Sequence, residues 1–480
     1  MIRTVNRLTD RTMKRLSDRL TDRLMDHETR LYLAAHPFAY PLMRLLARLG
    51  PVVRVPGLGV VVNDASVARA VLTDERFRKD GPGSPGDLWT PVLGPSVLLN
   101  MEGPDHLALR RKLMPLFTPA YVAGLVDDVL REPLAALDAR LARGETVDLV
   151  DAMRVMAGAV ICRIIGLDLG PGSGSRPGSA PGTGRGSDPG SDPDSDPGSR
   201  PGSAAVVEAR ARELFAEGER VVSMVSLRSR RLSDRQVAVA RQVLDRIGDI
   251  AQIAYEAGDP STVMGRMRES GLSAAEARGA AGAFFLTGTE TVATFVPRLV
   301  ALVSDHGLDL GPALRTGARP GSGTGADIAP ATGSGSGFST GTGTGTGPGT
   351  GAAVNGLEDL DRVIDEAMRV TTPTPLMLRS VSEPARVGGV AVRPGDRVLI
   401  VTHNCARAHG PFDPSRPHPP ELRRLWFGAG PHFCIGYPLA LAEIRAVAST
   451  VLSRGVRVTG RRAARGVLIP TYEHLWITAA

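Results

Sequence analysis

Two long stretches of the sequence contain few apolar side chains, and they limit what the rest of the chain can fold into. Residues 170–203 and 311–351 consist largely of small residues, with Gly and Pro prominent in both and Thr-Gly repeats in the second. Such segments bury too little apolar surface to offset the entropy cost of ordering. We therefore predict two disordered low-complexity insertions. Roughly 405 of the 480 residues remain for folded structure, which favours one domain rather than three.

Composition and charge exclude several classes of protein. The chain is 42% hydrophobic, which is enough for a large core, and its three cysteines (Cys162, Cys405 and Cys434) exclude a disulfide scaffold. The net charge is +7, but the basic residues alternate with acidic ones and aromatic residues make up only 4%. We therefore expect no nucleic-acid partner.

The apolar segments of the sequence predict neither a secretory signal nor a membrane span. Residues 1–4 do not begin an apolar signal segment, and the longest apolar stretch, 279–303, carries Glu290 and Arg298. We expect no membrane span and a cytoplasmic protein. Residues 1–30 repeat an Arg-Leu-x-Asp theme with leucines four apart, which predicts an N-terminal helical extension, with a surface-binding amphipathic helix as the alternative. Residues 31–480 are then the main domain.

Hydrophobic periodicity predicts a mainly α protein with small β-sheets. The expected elements are helices over 65–72, 105–117, 204–222, 234–256, 274–303 and 357–370, strands over 52–55, 60–62, 386–392 and 397–401, and a long loop over 81–94.

The densest group of special residues surrounds Cys434. Residues 427–436 read FGAGPHFCIG, and a helix is predicted to begin just after them. Glycines permit close backbone approaches, and a helix N-terminus favours the thiolate form of a nearby cysteine. This arrangement suits a metal ligand, while a catalytic nucleophile and a buried structural cysteine remain as alternatives.

The same ten residues resemble the haem-binding signature of cytochromes P450, Phe-Gly-x-Gly-x-His-x-Cys-x-Gly, at every fixed position. The resemblance implies a P450 fold, with Cys434 as the thiolate ligand of a haem b (iron protoporphyrin IX) and Phe427, Gly428 and Gly436 shaping the loop around the cofactor. Covalent attachment is not expected, because the sequence has no Cys-x-x-Cys-His motif.

Three structural residues follow from the same resemblance. Glu366 and Arg369 form a Glu-x-x-Arg pair on a predicted helix, where residues three apart share a face. The pair resembles that of helix K in the family, which is joined by an Arg from the segment before the cysteine loop. Our candidate for that Arg is Arg416.

The long apolar helix contains Thr287-Gly288-Thr289-Glu290-Thr291, which resembles the oxygen-activation motif of helix I. The resemblance implies that Thr291 hydrogen-bonds the bound oxygen, that Glu290 delivers protons, and that Gly288 helps to open the helix for O2 and water. Pro297 lacks an N–H group and is expected to bend the helix.

Four residues resemble the family's contacts to the two haem propionates. His106 and Arg110 match the His-x-x-x-Arg pattern of helix C, Arg379 follows the predicted helix K, and His432 lies in the cysteine loop. Arg pairs with carboxylates through strong, directional hydrogen bonds.

The resemblance implies a monooxygenase that uses O2 to hydroxylate or otherwise oxidise a lipophilic small molecule, as in bacterial secondary metabolism and antibiotic biosynthesis. Electrons would come from a separate ferredoxin and ferredoxin reductase, docking near Arg111, Lys112, Arg423 and Arg424. Two alternatives stay open: a haem-thiolate protein that recruits a partner without turnover, and a cysteine hydrolase with His432 as its base.

Overall fold

The computed structural model describes residues 26–167, 201–225, 231–316 and 356–480. The predicted N-terminal extension up to residue 25, and most of both predicted insertions, lie outside these residues. Within them, the prediction of a mainly helical protein with small sheets is confirmed.

The elements are numbered in chain order. The helices are α1 His27–Ala35, α2 Ala39–Leu49, α3 Ala65–Thr73, α4 Pro85–Leu93, α5 Gly103–Leu113, α6 Pro119–Ala142, α7 Leu149–Ile164, α8 Pro201–Val222, α9 Asp234–Ala257, α10 Val263–Glu269, α11 Ala274–Asp305, α12 Gly311–Thr316, α13 Gly356–Thr371, α14 Thr402–Arg407 and α15 Tyr437–Leu452. The strands are β1 Val52–Val55, β2 Gly59–Val62, β3 Phe77–Arg78, β4 Val147–Asp148, β5 Met377–Val381, β6 Ala385–Val387, β7 Val390–Val392, β8 Arg397–Ile400, β9 Val456–Ala463 and β10 Tyr472–Ala479.

Three sequence predictions about these elements were wrong. The expected loop over 81–94 contains α4, which begins with a proline at its first position and buries Leu88. Proline suits that position because its fixed φ matches the helix and its missing N–H has no helical partner there. Helix α8 begins at Pro201, inside the first predicted insertion. The short helix α12 lies inside the second.

The strands form three sheets. The largest has the order β1-β2-β8-β5-β3, in which β2 and β8 are parallel and the other pairs are antiparallel. The second has the order β4-β10-β9, and β6 pairs with β7 in a separate hairpin. The first sheet matters for the site, because β5 carries Arg379 and β3 leads directly to Lys79.

Helix α11 is the centre of the helical part. Its start is fixed by a capping box, in which Ser273 and Glu276 each hydrogen-bond the other's backbone N–H. It continues through Pro297 to Asp305, and it packs on α7, α8, α9, α13 and α15. Among the described helices it alone is long and apolar enough to cross a membrane, but 78% of its most apolar window is buried in the protein. The apolar sequence is therefore that of a core helix.

A buried ion pair holds α1 against α11. The guanidinium of Arg298 is 0% exposed and bonds the Glu28 carboxylate, with Nε 3.1 Å from Oε2. Arg298 also donates to the Thr371 carbonyl, which accepts a second bond from the Tyr32 hydroxyl at 3.2 Å. An unpaired buried charge is strongly destabilising, so Glu28 explains how an arginine is accommodated in so apolar a helix.

A second buried ion pair supports the segment before the cysteine loop. Arg369 donates two hydrogen bonds to Glu366, at 2.7 and 2.6 Å, as the sequence predicted. Arg369 also donates to the carbonyls of Ala406, Gly410 and Pro411, and Glu366 accepts from the Asp413 backbone N–H. The pair therefore ties α13 to the chain that follows α14.

The third member of this group is His418 and not Arg416. His418 Nε2 lies 2.8 Å from Glu366 and its Nδ1 lies 3.0 Å from Asp365, whereas Arg416 donates to the His409 carbonyl and pairs with Asp413. Arg416 is held by its own turn and does not reach Glu366. The His418 ring also meets Trp426 edge-on, with ring centroids 5.6 Å apart, which connects the ion pair to the start of the cysteine loop.

The Arg298–Glu28 pair leads to a stability prediction. Arg298→Met leaves the Glu28 carboxylate buried without its partner, and we expect a loss of about 3–5 kcal/mol in the free energy of unfolding by urea. The double variant Glu28→Gln with Arg298→Met should recover part of that loss. The matched control is Arg454→Met, which breaks the exposed pair with Asp138 and should cost under about 1 kcal/mol. An equal loss for both single variants would contradict this account.

His418 leads to a prediction about pH. Burial alone would lower the pKa of His418, but the hydrogen bonds to Asp365 and Glu366 raise it to about 9. Because the folded-state pKa lies above the unfolded value of about 6.5, the stabilisation is complete below that pH and is lost as the pH rises through about 9. The stability difference between wild type and His418→Gln should therefore shrink between pH 6 and pH 9.5 in urea titrations. A difference that does not change with pH would show that His418 is not charged.

Candidate functional site

The backbone of residues 427–436 presents Cys434 at the start of α15. Gly428 and Gly430 have φ angles of 83° and 65°, which non-glycine residues rarely adopt. A Cβ on Gly430 would lie 2.8 Å from the Leu72 carbonyl oxygen, so this glycine also allows the loop to approach α3. The Cys434 N–H donates to the Phe427 carbonyl at 2.9 Å, which closes the loop.

Phe427 and Gly436, predicted to shape this loop, have local roles. The Phe427 ring meets the Tyr437 ring nearly perpendicularly, with centroids 4.8 Å apart. Gly436 lies directly against the cysteine, since a Cβ there would be 3.9 Å from Cys434 Sγ. Both residues therefore keep the backbone of the loop close to the first turn of α15.

The Cys434 thiol is accessible but has protein on most sides. Burial raises the pKa of Cys434 above its usual value, and hydrogen bonds from the Gly436 and Tyr437 backbone N–H groups, with Arg110 and Lys79 nearby, offset only part of that rise. The expectation that the helix N-terminus would favour the thiolate was therefore incomplete, because burial has the larger effect. A metal ion at Sγ would reverse the balance, since a coordinated thiol is deprotonated.

Basic side chains from four elements surround this thiol. His106 and Arg110 lie on α5, Arg379 on β5 and His432 in the cysteine loop, and His432 interacts electrostatically with His106 and Arg379. His106 and Arg379 are buried, and the rings of His106 and His432 are 4.2 Å apart. A fifth basic residue, Lys79, interacts electrostatically with Arg379, Arg110 and the Cys434 sulfur.

The electrostatics of this cluster show a shortage of negative charge. Burial, reinforced by neighbouring basic groups, lowers the pKa of Lys79 to about 7 and that of His106 to about 4. Burial also lowers the pKa of Arg379 to about 10. The one carboxylate that recurs as a partner is Glu102, whose Oε2 lies 2.7 Å from Nε2 of His432. His432 is thus already engaged by a protein carboxylate.

The donor set fits a haem. The accessible Cys434 thiol is a ligand that would suit a haem iron, and the surrounding cations would suit the two carboxylates of the porphyrin. Cys434 would hold the iron, and Arg110, Arg379 and His106 would be available to the propionates, whereas His432 is already bound to Glu102.

The same geometry does not favour a cysteine hydrolase. A nucleophilic cysteine needs a lowered pKa and a base in contact with its sulfur. Here burial raises the pKa of the thiol, and His432 is bound to Glu102.

Helix α11 has one accessible face within its otherwise buried middle section. Phe284, Thr287, Gly288 and Thr291 are at least partly accessible, and their spacing of three and four residues places them on one side of the helix. The Thr291 hydroxyl donates to the Thr287 carbonyl at 3.4 Å. Phe284 and Leu439 of α15 line the same small pocket, which shows that this face is directed towards the first turns of the cysteine helix.

Gly288 has a packing role that the sequence analysis did not foresee. A Cβ at this position would lie 3.0 Å from the Ile161 side chain, so the glycine allows α11 and α7 to pack closely.

Glu290 lies towards α8 rather than on the accessible face. Burial, together with the Glu219 carboxylate, raises the pKa of Glu290 to about 8, while Arg154 opposes the rise. Arg154 and Glu219 form an ion pair of 3.1 Å, and Gly218 of α8 packs closely on Thr289. Glu290 therefore retains its proton near neutral pH.

Sequence reasoning missed Lys79, Glu102 and His418. Lys79 is one of only three lysines in the chain, and Glu102 lies one helical turn before His106, so weak signals were present for both. His418 had no local signal, because its role depends on the path of an irregular segment.

The known sequences that match part of this chain are cytochromes P450. Residues 350–454 match the family model "Cytochrome P450". The monooxygenase DoxA of Streptomyces peucetius subsp. caesius is 37% identical over 99 residues, which is 20% of this chain and 24% of that protein. The putative cytochrome P450 YjiB of Bacillus subtilis is 33% identical over 101 residues, 20% of this chain and 25% of that protein. The matched stretch thus spans about a quarter of the length of these curated relatives.

Solved structures extend the likeness to the whole fold. The structure of a mutant of P450 EryK in complex with erythromycin B has a TM-score of 0.66 at 18% identity, over 93% of this chain and 97% of that one. P450BioI in complex with a fatty-acyl-ligated acyl carrier protein has a TM-score of 0.65 at 16% identity, over 93% of this chain and 99% of that one. The family model over the cysteine loop, the bacterial relatives and the solved structures of the same fold thus all make this chain similar to cytochromes P450.

Proposed function

We propose that this protein is a haem-thiolate monooxygenase that oxidises a lipophilic small molecule. In the net reaction a substrate C–H group, O2, two electrons and two protons give a C–OH group and water. The observation that supports this most strongly is the accessible Cys434 thiol inside a cluster of cations with too few protein carboxylates. The fold and the family agree with the proposal.

The cofactor that we propose is haem b. No Cys-x-x-Cys-His motif is present for covalent attachment, so the cofactor would be held by Cys434 and the propionate-binding residues. When bound, a thiolate-ligated haem supplies the iron at which O2 is reduced.

The side chains of α11 would supply protons to that chemistry. Thr291 presents a hydroxyl on the accessible face of the helix, and Glu290, next to it, carries a proton near neutral pH. Proton donors work best when their pKa lies near the working pH, which Glu290 satisfies. We propose that Glu290 relays protons from the α8 side, where Arg154 and Glu219 lie, and that Thr291 passes them to the O2 site.

The substrate is proposed to be a large lipophilic molecule of bacterial secondary metabolism. Helix α4 carries the apolar residues Trp89, Val92 and Leu93 and packs against α11. A relative named erythromycin C-12 hydroxylase, from Saccharopolyspora erythraea, is 33% identical over 104 residues, which is 26% of its length. We propose an antibiotic-type or related intermediate as the substrate class, and a cytoplasmic location.

Electrons are proposed to come from a separate ferredoxin and ferredoxin reductase. Arg111, Arg423 and Arg424 are exposed close to α5 and the cysteine loop, as a basic docking surface for an acidic ferredoxin requires. Lys112, also predicted to belong to this surface, is instead paired with Glu276 at 3.1 Å. The surface is therefore smaller than the sequence indicated.

The test of this function follows the fate of electrons in wild type and Thr291→Ala. Haem-loaded protein is combined with a surrogate ferredoxin and reductase, 18O2, and any lipophilic compound that shifts the haem spectrum on binding. Wild type should insert one 18O atom per product molecule. Thr291→Ala should lose most product, release most electrons as peroxide and keep its haem, because the hydroxyl that delivers protons is missing.

The matched control is Thr289→Ala, since Thr289 lies on the same helix with its side chain buried against α8. Its ratio of product to peroxide should equal that of wild type. If wild type binds such compounds but incorporates no 18O, the protein is a binding partner without turnover. If Thr291→Ala couples electrons as well as wild type, Thr291 does not have the proposed role.

A further inference from the structure

The pairing of β3 with β5 brings Lys79, a partly buried cation, close to Arg379. In this antiparallel pair Phe77 is opposite Val381 and Arg78 is opposite Ser380. Lys79 and Arg379 lie one position beyond the last of these pairs, and continuing the register would set them opposite each other on the same face. The electrostatic interaction between the two side chains agrees with this placement.

The backbone of Lys79 is held firmly, so its position is not that of a mobile surface lysine. Its N–H donates to Oε1 of Glu102, and its carbonyl accepts from the Ser84 hydroxyl and from the Gly86 N–H at 2.7 Å. The strand thus ends in a turn that fixes where the Lys79 side chain begins.

Like charges directly opposed across a sheet are destabilising unless an anion separates them. Lys79, Arg379 and Arg110 are grouped together, and Glu102 is the carboxylate that interacts with Lys79 and Arg379. Glu102 is already bound to His432 and to the Lys79 backbone. Among the described residues, no carboxylate lies within ion-pair distance of the Lys79 ammonium.

The protein groups that offset these three cations are the Glu102 carboxylate, which interacts with Lys79 and Arg379, and the Cys434 sulfur, which interacts with Lys79 and Arg110. A haem would bring two further carboxylates, its propionates, to this cluster. We propose that Lys79 is a further propionate-binding residue, which acts with Arg379 and Arg110 and holds the haem in place electrostatically. This inference rests on the proposed function, because it requires that the protein binds haem.

The proposal predicts opposite effects on the two forms of the protein. Without haem, Lys79 is a repulsive neighbour of Arg379, so Lys79→Met should leave the stability of the haem-free protein unchanged or increase it. With haem, the same substitution removes a charge-assisted hydrogen bond to a propionate. A residue with a merely structural role would weaken both forms.

The experiment compares wild type with Lys79→Met, Lys79→Arg and the control Arg78→Met. Arg78 is the preceding strand residue, projects to the other face and pairs with Asp80 at 2.7 Å. The measurements are the rate of haem transfer to excess apomyoglobin, the reduction potential of the iron, and urea unfolding of the haem-free protein. Lys79→Met should lose haem about tenfold faster, as expected for loss of a charge-assisted bond. Lys79→Arg and Arg78→Met should stay within about twofold of wild type.

The reduction potential should fall in Lys79→Met, because removing a nearby positive charge favours the ferric state, and it should be restored in Lys79→Arg. If Lys79→Met retains haem and potential like wild type, the assignment of Lys79 is wrong while the proposed function stands. If Lys79→Met lowers the free energy of unfolding of the haem-free protein, and that loss accounts for the faster release of haem, Lys79 is structural and the assignment is also wrong. If wild type takes up no haem, both the assignment and the proposed function fail.

Discussion

The shortage of negative charge around Cys434 is the constraint on which the rest of the site depends. Lys79 follows β3, Arg110 lies on α5 and Arg379 lies on β5. Glu102 interacts with Lys79 and Arg379 and is also bound to His432, whereas Arg110 interacts with the Cys434 sulfur. Grouping such cations in a protein interior is energetically unfavourable, because burial and mutual repulsion both oppose the charged forms. A ligand with two carboxylates and a metal ion would offset the burial and mutual repulsion of the cations and would also bind the thiol.

The scaffold that keeps these cations together contains two buried ion pairs. Arg298 with Glu28 joins the first described helix to the central helix, and Arg369 with Glu366 joins α13 to the chain leading to the cysteine loop. Buried pairs of this kind add little stability compared with apolar packing, but removing one partner is strongly destabilising because the other is left as an unpaired buried charge. They therefore specify one arrangement of distant segments, which is what a cofactor site built from α5, β5 and a loop requires.

Local sequence patterns predicted some contacts of the fold and the candidate site but not others. The helix register placed His106 and Arg110 on one face, and the glycine-rich loop identified Cys434, because both depend on neighbours a few residues apart. Lys79 depends on the register between β3 and β5, and Glu28 lies 270 residues from Arg298, so no short pattern could reveal either contact. Arg416 was chosen by residue type, but the turn around Asp413 uses its guanidinium, and His418 takes the place next to Glu366. Gly288 matched its motif, yet the structure gives it a contact with Ile161 that depends on how two helices pack.

The central claim is that Cys434 binds haem iron as a thiolate, and the spectrum of the reduced protein with CO tests it most directly. The account predicts a Soret band near about 450 nm for wild type, which is the signature of thiolate-ligated iron, and its loss in Cys434→Ala. A protein that is folded by circular dichroism but takes up no haem, or that gives only a band near about 420 nm with CO, would contradict the account.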